Sequence, residues 1–117
     1  MKYFLKVILL ADCPYSEGVA ELLEQNKIPF KRIDISRTIK DKEKYINNEI
    51  QTFPQVYLIY DKQKYLLGGY DDTKNIFEII NNNDLEFIKK ELNSKLPKLD
   101  TKKILRLIQI FSIIKKK

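Results

Sequence analysis

Apolar and polar residues fall into blocks whose periods change along the chain. Tyr3 to Leu10 (YFLKVILL) is apolar at every position but Lys6. A run of that length, apolar at both odd and even positions, predicts a strand buried on both faces. Val19, Ala20, Leu22 and Leu23 then recur at helical spacing, with Glu17, Glu21 and Glu24 opposite them. That pattern predicts an amphipathic helix from Pro14, whose missing N–H suits a first turn, to Asn26-Lys27. Ile28 to Ile35 alternates and predicts a second strand. Thr38 to Ile50 reads as a helix with Ile39, Tyr45, Ile46 and Ile50 inward. Phe53 to Tyr60 predicts a third strand, Asp61 to Lys64 a polar hairpin turn, and Tyr65 to Leu67 a short fourth strand ended by Gly68-Gly69. Asp71 or Asp72 is expected to cap a helix carrying Ile76, Phe77, Ile79 and Ile80, closed by Asn81 to Asn83. Asp84 is expected to cap another through Leu85, Phe87, Ile88 and Leu92, and Asp100 a last one starting near Thr101.

The order β-α-β-α-β-β-α, followed by further helix, constrains the sheet. Strands joined by a helix should be parallel with a right-handed crossover, and strands joined by a short turn antiparallel. This is the order of a thioredoxin-like α/β fold, a four-stranded mixed sheet flanked by helices, here with an extra C-terminal helix.

Composition narrows the chemistry. The chain has 117 residues, 44% of them hydrophobic, one Cys and no His. Without His there is no Ser-His-Asp triad, no Cys-His dyad and no imidazole metal site. One Cys excludes an internal disulfide and a single-chain Cys-based zinc site. The opening segment lacks a secretory pattern, and a reducing, cytoplasmic setting is expected. The net charge of +6 is uneven: residues 1–97 hold 15 Lys/Arg and 15 Asp/Glu, whereas residues 98–117 hold seven cations against Asp100. The expected organisation is a neutral domain over 1–97 and a basic, apolar helical extension over 98–117.

Cys13 stands where a buried strand gives way to a helix. Free N–H groups and the helix dipole favour negative charge there, so the thiol ionises more readily and becomes a nucleophile for disulfide exchange. A lone intracellular cysteine is also commonly just a small buried apolar residue. Three segments decide between these readings. Cys13-Pro14-Tyr15-Ser16 resembles the C-P-Y-C site of the glutaredoxin family with its second cysteine replaced. Thr52-Phe53-Pro54-Gln55-Val56-Tyr57 resembles the family's T-V-P-Q-V-F segment with its cis-proline. Gly68-Gly69-Tyr70-Asp71-Asp72 resembles its G-G-x-[DS]-D turn. The resemblance covers about residues 1–95.

It implies a glutathione-dependent thiol–disulfide oxidoreductase of the monothiol kind, with Cys13 as the nucleophile. Glutathione, and glutathionylated proteins or small disulfides, are the implied partners. Tyr15 and Ser16 would flank the glutathione groove, and Ser16 would hydrogen-bond the sulfur. The backbone of Phe53, before a cis-Pro54, would pair with the cysteinyl unit like an added strand. Gly69, Tyr70, Asp71 and Asp72 would receive the γ-glutamyl end. Ser16 in place of the resolving cysteine removes the dithiol route. The family's customary Lys three positions before the Cys is Leu10 here, and Asp12 lies beside Cys13. A carboxylate there opposes the thiolate, so a less acidic thiol or weaker glutathione binding than is usual in the family is expected. Arg37, Lys42 or Lys44 is left to replace the missing cation. An alternative is an iron–sulfur cluster shared by two subunits through Cys13 and glutathione, which the Pro-Tyr pair fits less well; otherwise no metal ligand is expected. Another is a non-catalytic interaction module that keeps the fold.

The tail is outside the resemblance. Ile104, Leu105, Leu107, Ile108, Ile110, Phe111, Ile113 and Ile114 leave only Arg106, Gln109 and Ser112 as a polar stripe. Such a helix needs cover on more than one side. Packing on the domain or self-association through 99–117 comes first, contact with an anionic membrane surface through Lys115 to Lys117 second. Nucleic acid comes last, since no aromatic platform accompanies the basic residues.

Overall fold

A computed structural model describes residues 2–112 of the chain. β1 (Tyr3–Leu10) is central, because its side chains supply two cores at once. Leu5, Val7 and Leu9 enter one core, while Ile8 enters the other, with Leu10 packed against it. β1 pairs in parallel with β2 (Lys31–Ile35), placing Ile8 opposite Ile33. On its other side it pairs antiparallel with β3 (Gln55–Tyr60), placing Val7 opposite Val56. β3 pairs antiparallel with β4 (Gln63–Gly68), giving the order β2-β1-β3-β4. This is the thioredoxin-like mixed sheet expected from the order of elements.

The larger core lies between one face of the sheet and the helices α1 (Pro14–Gln25), α3 (Tyr70–Asn82), α4 (Leu85–Lys95) and α5 (Thr101–Phe111). α4 and α5 start where their capping residues predict. Asp84 accepts from the Phe87 N–H and Asp100 from the Lys103 N–H, both at 2.9 Å. On α4, Ile88 and Leu92 are buried, whereas Leu85 and Phe87 are exposed. The apolar face of α5 is satisfied within the chain, since Ile104, Leu107, Ile108 and Phe111 are buried in the same core as the sheet. Ile113, Ile114 and Lys115 to Lys117 lie outside the described residues. Among the described residues no helix is long and apolar enough to cross a membrane.

Four expectations are corrected. β2 starts at Lys31 rather than Ile28. Lys27 takes a left-handed φ of 56°, and the N–H groups of Lys27 and Ile28 bond back to Glu24 (3.1 Å) and Leu23 (2.9 Å). That is a Schellman end to α1, and it commits Ile28 to the core as part of the turn. The second helix is only α2 (Ile39–Glu43), and Ile39 is 73% exposed. It stops because the Asn47 side chain accepts the N–H groups of Glu49 (2.8 Å) and Ile50 (3.1 Å), offering the backbone a turn instead of a helix. The second face of the sheet is therefore covered from the loop after α2, with Tyr45 and Phe53 packed over Ile8, Ile35 and Tyr57. β3 starts at Gln55, and the hairpin turn is just Asp61 and Lys62, with φ of 50° and 69°. Two consecutive positive φ values make a turn whose twist matches the flanking strands, so pairing resumes at Gln63 and β4 is longer than expected. Finally, the N-cap of α3 is Gly69, and Asp72 acts from the third helical position, accepting the Gly69 N–H at 3.0 Å.

Candidate active site

The turn from β1 to α1 presents the thiol. Asp12 turns the chain with a φ of 54°, and the Ala11 N–H bonds to the Ile35 carbonyl at 3.0 Å, extending the parallel pairing past β1. Cys13 is the N-cap of α1; its carbonyl accepts the Glu17 N–H at 3.0 Å, and the residue is 8% exposed. As a thiol it makes no capping hydrogen bond. As a thiolate it has donors at hand. Burial pushes the Cys13 thiol up, but the Ser16 N–H and hydroxyl, the Tyr15 N–H and the Arg37 charge outweigh it and hold the thiol below its ordinary value. Of the three cations considered, Arg37 is one whose charge acts on it.

Beside this turn lies an open groove of about 560 Å³. Tyr15 lines it from α1, and Thr52, Phe53 and Pro54 from the loop before β3. Gly69, Tyr70, Asp71 and Asp72 line it from the start of α3. The Phe53–Pro54 peptide is cis. The ladder between β1 and β3 ends at Gln55, so the Phe53 peptide groups lie beyond it. Seven of the residues singled out from the sequence therefore share one groove. Cys13 is not among its lining residues; Tyr15, two residues further along the same turn, is. Ser16 does not line it: it is buried, and its hydroxyl oxygen accepts the Leu10 N–H at 3.0 Å.

Several groove-building residues escape sequence reading. Gly18 makes room for the Tyr70 ring, which would lie 2.9 Å from an added Cβ. Tyr15, 61% exposed, flanks that ring at 6.2 Å between centroids. Gln55 is fully buried; its amide donates to the carbonyls of Tyr45 (2.8 Å) and Thr52 (3.3 Å) and accepts from the Tyr57 hydroxyl (2.8 Å). It thereby ties both ends of the loop that supplies Glu49, Ile50 and Thr52 to the groove. Gly68 holds a φ of 124°, a conformation that only glycine adopts readily. The adjacent Gly-Gly pair was the available signal for it, and Gln55 lies inside the segment around Pro54; Gly18 gave none.

Comparison with known proteins adds the following. The glutaredoxin family model matches residues 1–63, a stretch that holds β1 to β3 with Cys13 and Phe53–Pro54. Among solved structures, the chain is similar to the crystal structure of glutaredoxin 1 from Francisella tularensis complexed with cacodylate. The TM-score is 0.51 at 22% identity, over 63% of this chain and 91% of that one, a likeness of fold. No curated protein matches the chain.

Proposed function

The chain belongs to the glutaredoxin family, whose chemistry is thiol–disulfide exchange with glutathione, and from that premise we propose that it removes glutathione from mixed disulfides by a monothiol route through Cys13. The observation that carries this reading is a lone thiol, held below its ordinary value at a helix N-cap, beside a groove of about 560 Å³. That volume lies within the usual range for small-molecule sites, roughly 300–1,000 Å³.

The Cys13 thiolate attacks the glutathione sulfur of the mixed disulfide. That S–S bond breaks, the substrate's sulfur leaves with the electron pair and takes a proton from solvent, and Cys13 holds glutathione as a disulfide. A second glutathione thiolate attacks the glutathione sulfur of that disulfide, releasing oxidised glutathione and restoring the Cys13 thiolate. No second cysteine in the chain competes for this disulfide. Around the bound glutathione, Phe53 offers peptide groups beyond the end of the ladder, and the start of α3 offers N–H groups for a carboxylate. The exposed Asp71 carboxylate, at the same end, is suited to an amine.

The test is glutathione-coupled reduction of a glutathionylated peptide, followed by release of oxidised glutathione. Wild type should turn over and Cys13→Ser should not, with an unchanged melting temperature. Turnover by Cys13→Ser, or its absence in folded wild type, would overturn the reading.

A further inference from the structure

Arg37 lies in the connection between β2 and α2, yet it binds the loop that carries the thiol. Its Nε donates to the Ala11 carbonyl at 2.9 Å, and its Nη2 donates to the Asp12 carbonyl at 2.8 Å. These bonds span 26 and 25 residues of sequence. A guanidinium presents its donors in a rigid planar fork, so gripping two successive carbonyls fixes two successive peptide planes. The peptide unit is planar, so fixing the Asp12 carbonyl also fixes the N–H of Cys13, which opposes it across the same plane. The loop needs such a hold. Asp12 sits at a φ of 54°, a left-handed conformation uncommon for a residue other than glycine. Together with the Ala11 N–H bond to Ile35, the end of β2 and the residues after it grip this turn at three points.

The second contribution is charge. Both hydrogen bonds of the Arg37 fork go to carbonyl oxygens, which leave its positive charge uncancelled. Asp12 precedes Cys13 in its own loop, and Tyr15 and Glu17 follow it in the first turn of α1. Tyr70 faces that turn from α3. On α2, Asp41 is held by the Ser36 N–H and hydroxyl. Arg37 thus brings a permanent positive charge to bear on the sulfur across this turn.

We propose that Arg37 is the positioning residue for the nucleophile: its fork locks the Ala11–Asp12 turn, and with it the peptide plane from which Cys13 is presented, in place. The role rests on Cys13 being the nucleophile of the reaction proposed above, but it is tested on the thiol itself. The full chain is alkylated with iodoacetamide across a pH series, without glutathione, as wild type, Arg37→Lys and Arg37→Gln. Arg37→Gln should lower the alkylation rate at pH 7 by about threefold and move the profile to higher pH, because an exposed charge acts more weakly than a buried one. Arg37→Lys keeps the charge without the planar fork, so it should recover only part of the shift. In wild type alone, raising ionic strength from about 0.05 M to about 1 M should move the profile in the same direction, since salt screens an exposed charge. A profile that Arg37→Gln and salt both leave unmoved overturns the assignment, as does an Arg37→Lys profile that coincides with that of wild type. A thiol that responds to Arg37 in a protein that leaves glutathione mixed disulfides untouched upholds the positioning role and sinks the proposed reaction. Turnover by wild type with a profile indifferent to Arg37 does the reverse.

Discussion

Two adjacent glycines end β4, and one added methyl group should affect them in opposite ways. Gly68 has a φ of 124°, and a Cβ there would stand 2.2 Å from Asp72 Oδ2 and 2.5 Å from both Cγ and Cβ of the same residue. Rotating the Asp72 side chain clears the carboxylate but not its Cβ, which is fixed to the backbone of α3. The substitution Gly68→Ala must therefore shift the first turn of α3. The backbone strain costs about 1–3 kcal/mol, and losing the bond from the Gly69 N–H to Asp72 about 1–2 kcal/mol more. A loss of roughly 3–4 kcal/mol is expected. Gly69, by contrast, has a φ of −97°, open to any residue, and its added Cβ would meet only the Pro54 carbonyl oxygen at an ordinary 3.5 Å. Gly69→Ala should cost less than about 1 kcal/mol. Its methyl group, however, projects between two groove-lining residues, so glutathione binding should weaken while stability holds. Urea unfolding followed by far-UV circular dichroism gives the two stabilities, and calorimetric titration with glutathione gives the affinity. Equal destabilisation by the two substitutions, or a Gly68→Ala protein within about 1 kcal/mol of wild type, would refute this account of the turn.

Two more predictions follow from the packing and the thiol. Phe111 is fully buried where α5 meets the core, so Phe111→Ala should cost about 3–5 kcal/mol in urea unfolding, whereas Leu105→Ala on the exposed side should be nearly neutral. Because folding lowers the Cys13 value, the unfolded chain binds more protons than the folded one between that lowered value and the ordinary one near 9. Stability should therefore rise with pH through that window and be lost again as pH falls through the lowered value; Cys13→Ser should flatten this rise in chemical unfolding measured at several pH values.

Where a signal is complete within a few residues, the sequence is legible. Pro14 opens α1, and Asp84 and Asp100 cap α4 and α5 with their own side chains. β1 follows from its unbroken apolar run. The end of α2 is not legible by periodicity, because Asn47 captures two N–H groups that the apolar spacing assigns to a helix. The three motif segments around Cys13, Pro54 and Gly69 locate the site, since each marks a backbone feature that its own residues create. What supports them from a distance is hidden. Arg37 acts across 25 residues, Gln55 ties a loop beginning ten residues before it, and Gly18 looks like a weak point in a helix until Tyr70 fills the space beside it. In each case the distant partner, not the residue itself, is what a local reading lacks.

Ser16 shows how one substitution can fix both structure and chemistry. Its oxygen accepts the N–H of Leu10, the last residue of β1, so the strand end and the first turn of α1 are joined through one buried hydroxyl. Accepting that bond leaves the O–H proton free to donate to the Cys13 sulfur, where it helps hold the thiolate. A cysteine in this position would accept the Leu10 N–H poorly, since a thiol sulfur is a weak acceptor. It would also bring a second sulfur close to the first. The hydroxyl thus stabilises the thiolate without being able to resolve a disulfide formed on it. Any disulfide made at Cys13 must then be opened by a thiol from outside the chain, and the groove beside Tyr15 is where such a thiol-bearing molecule has room to lie.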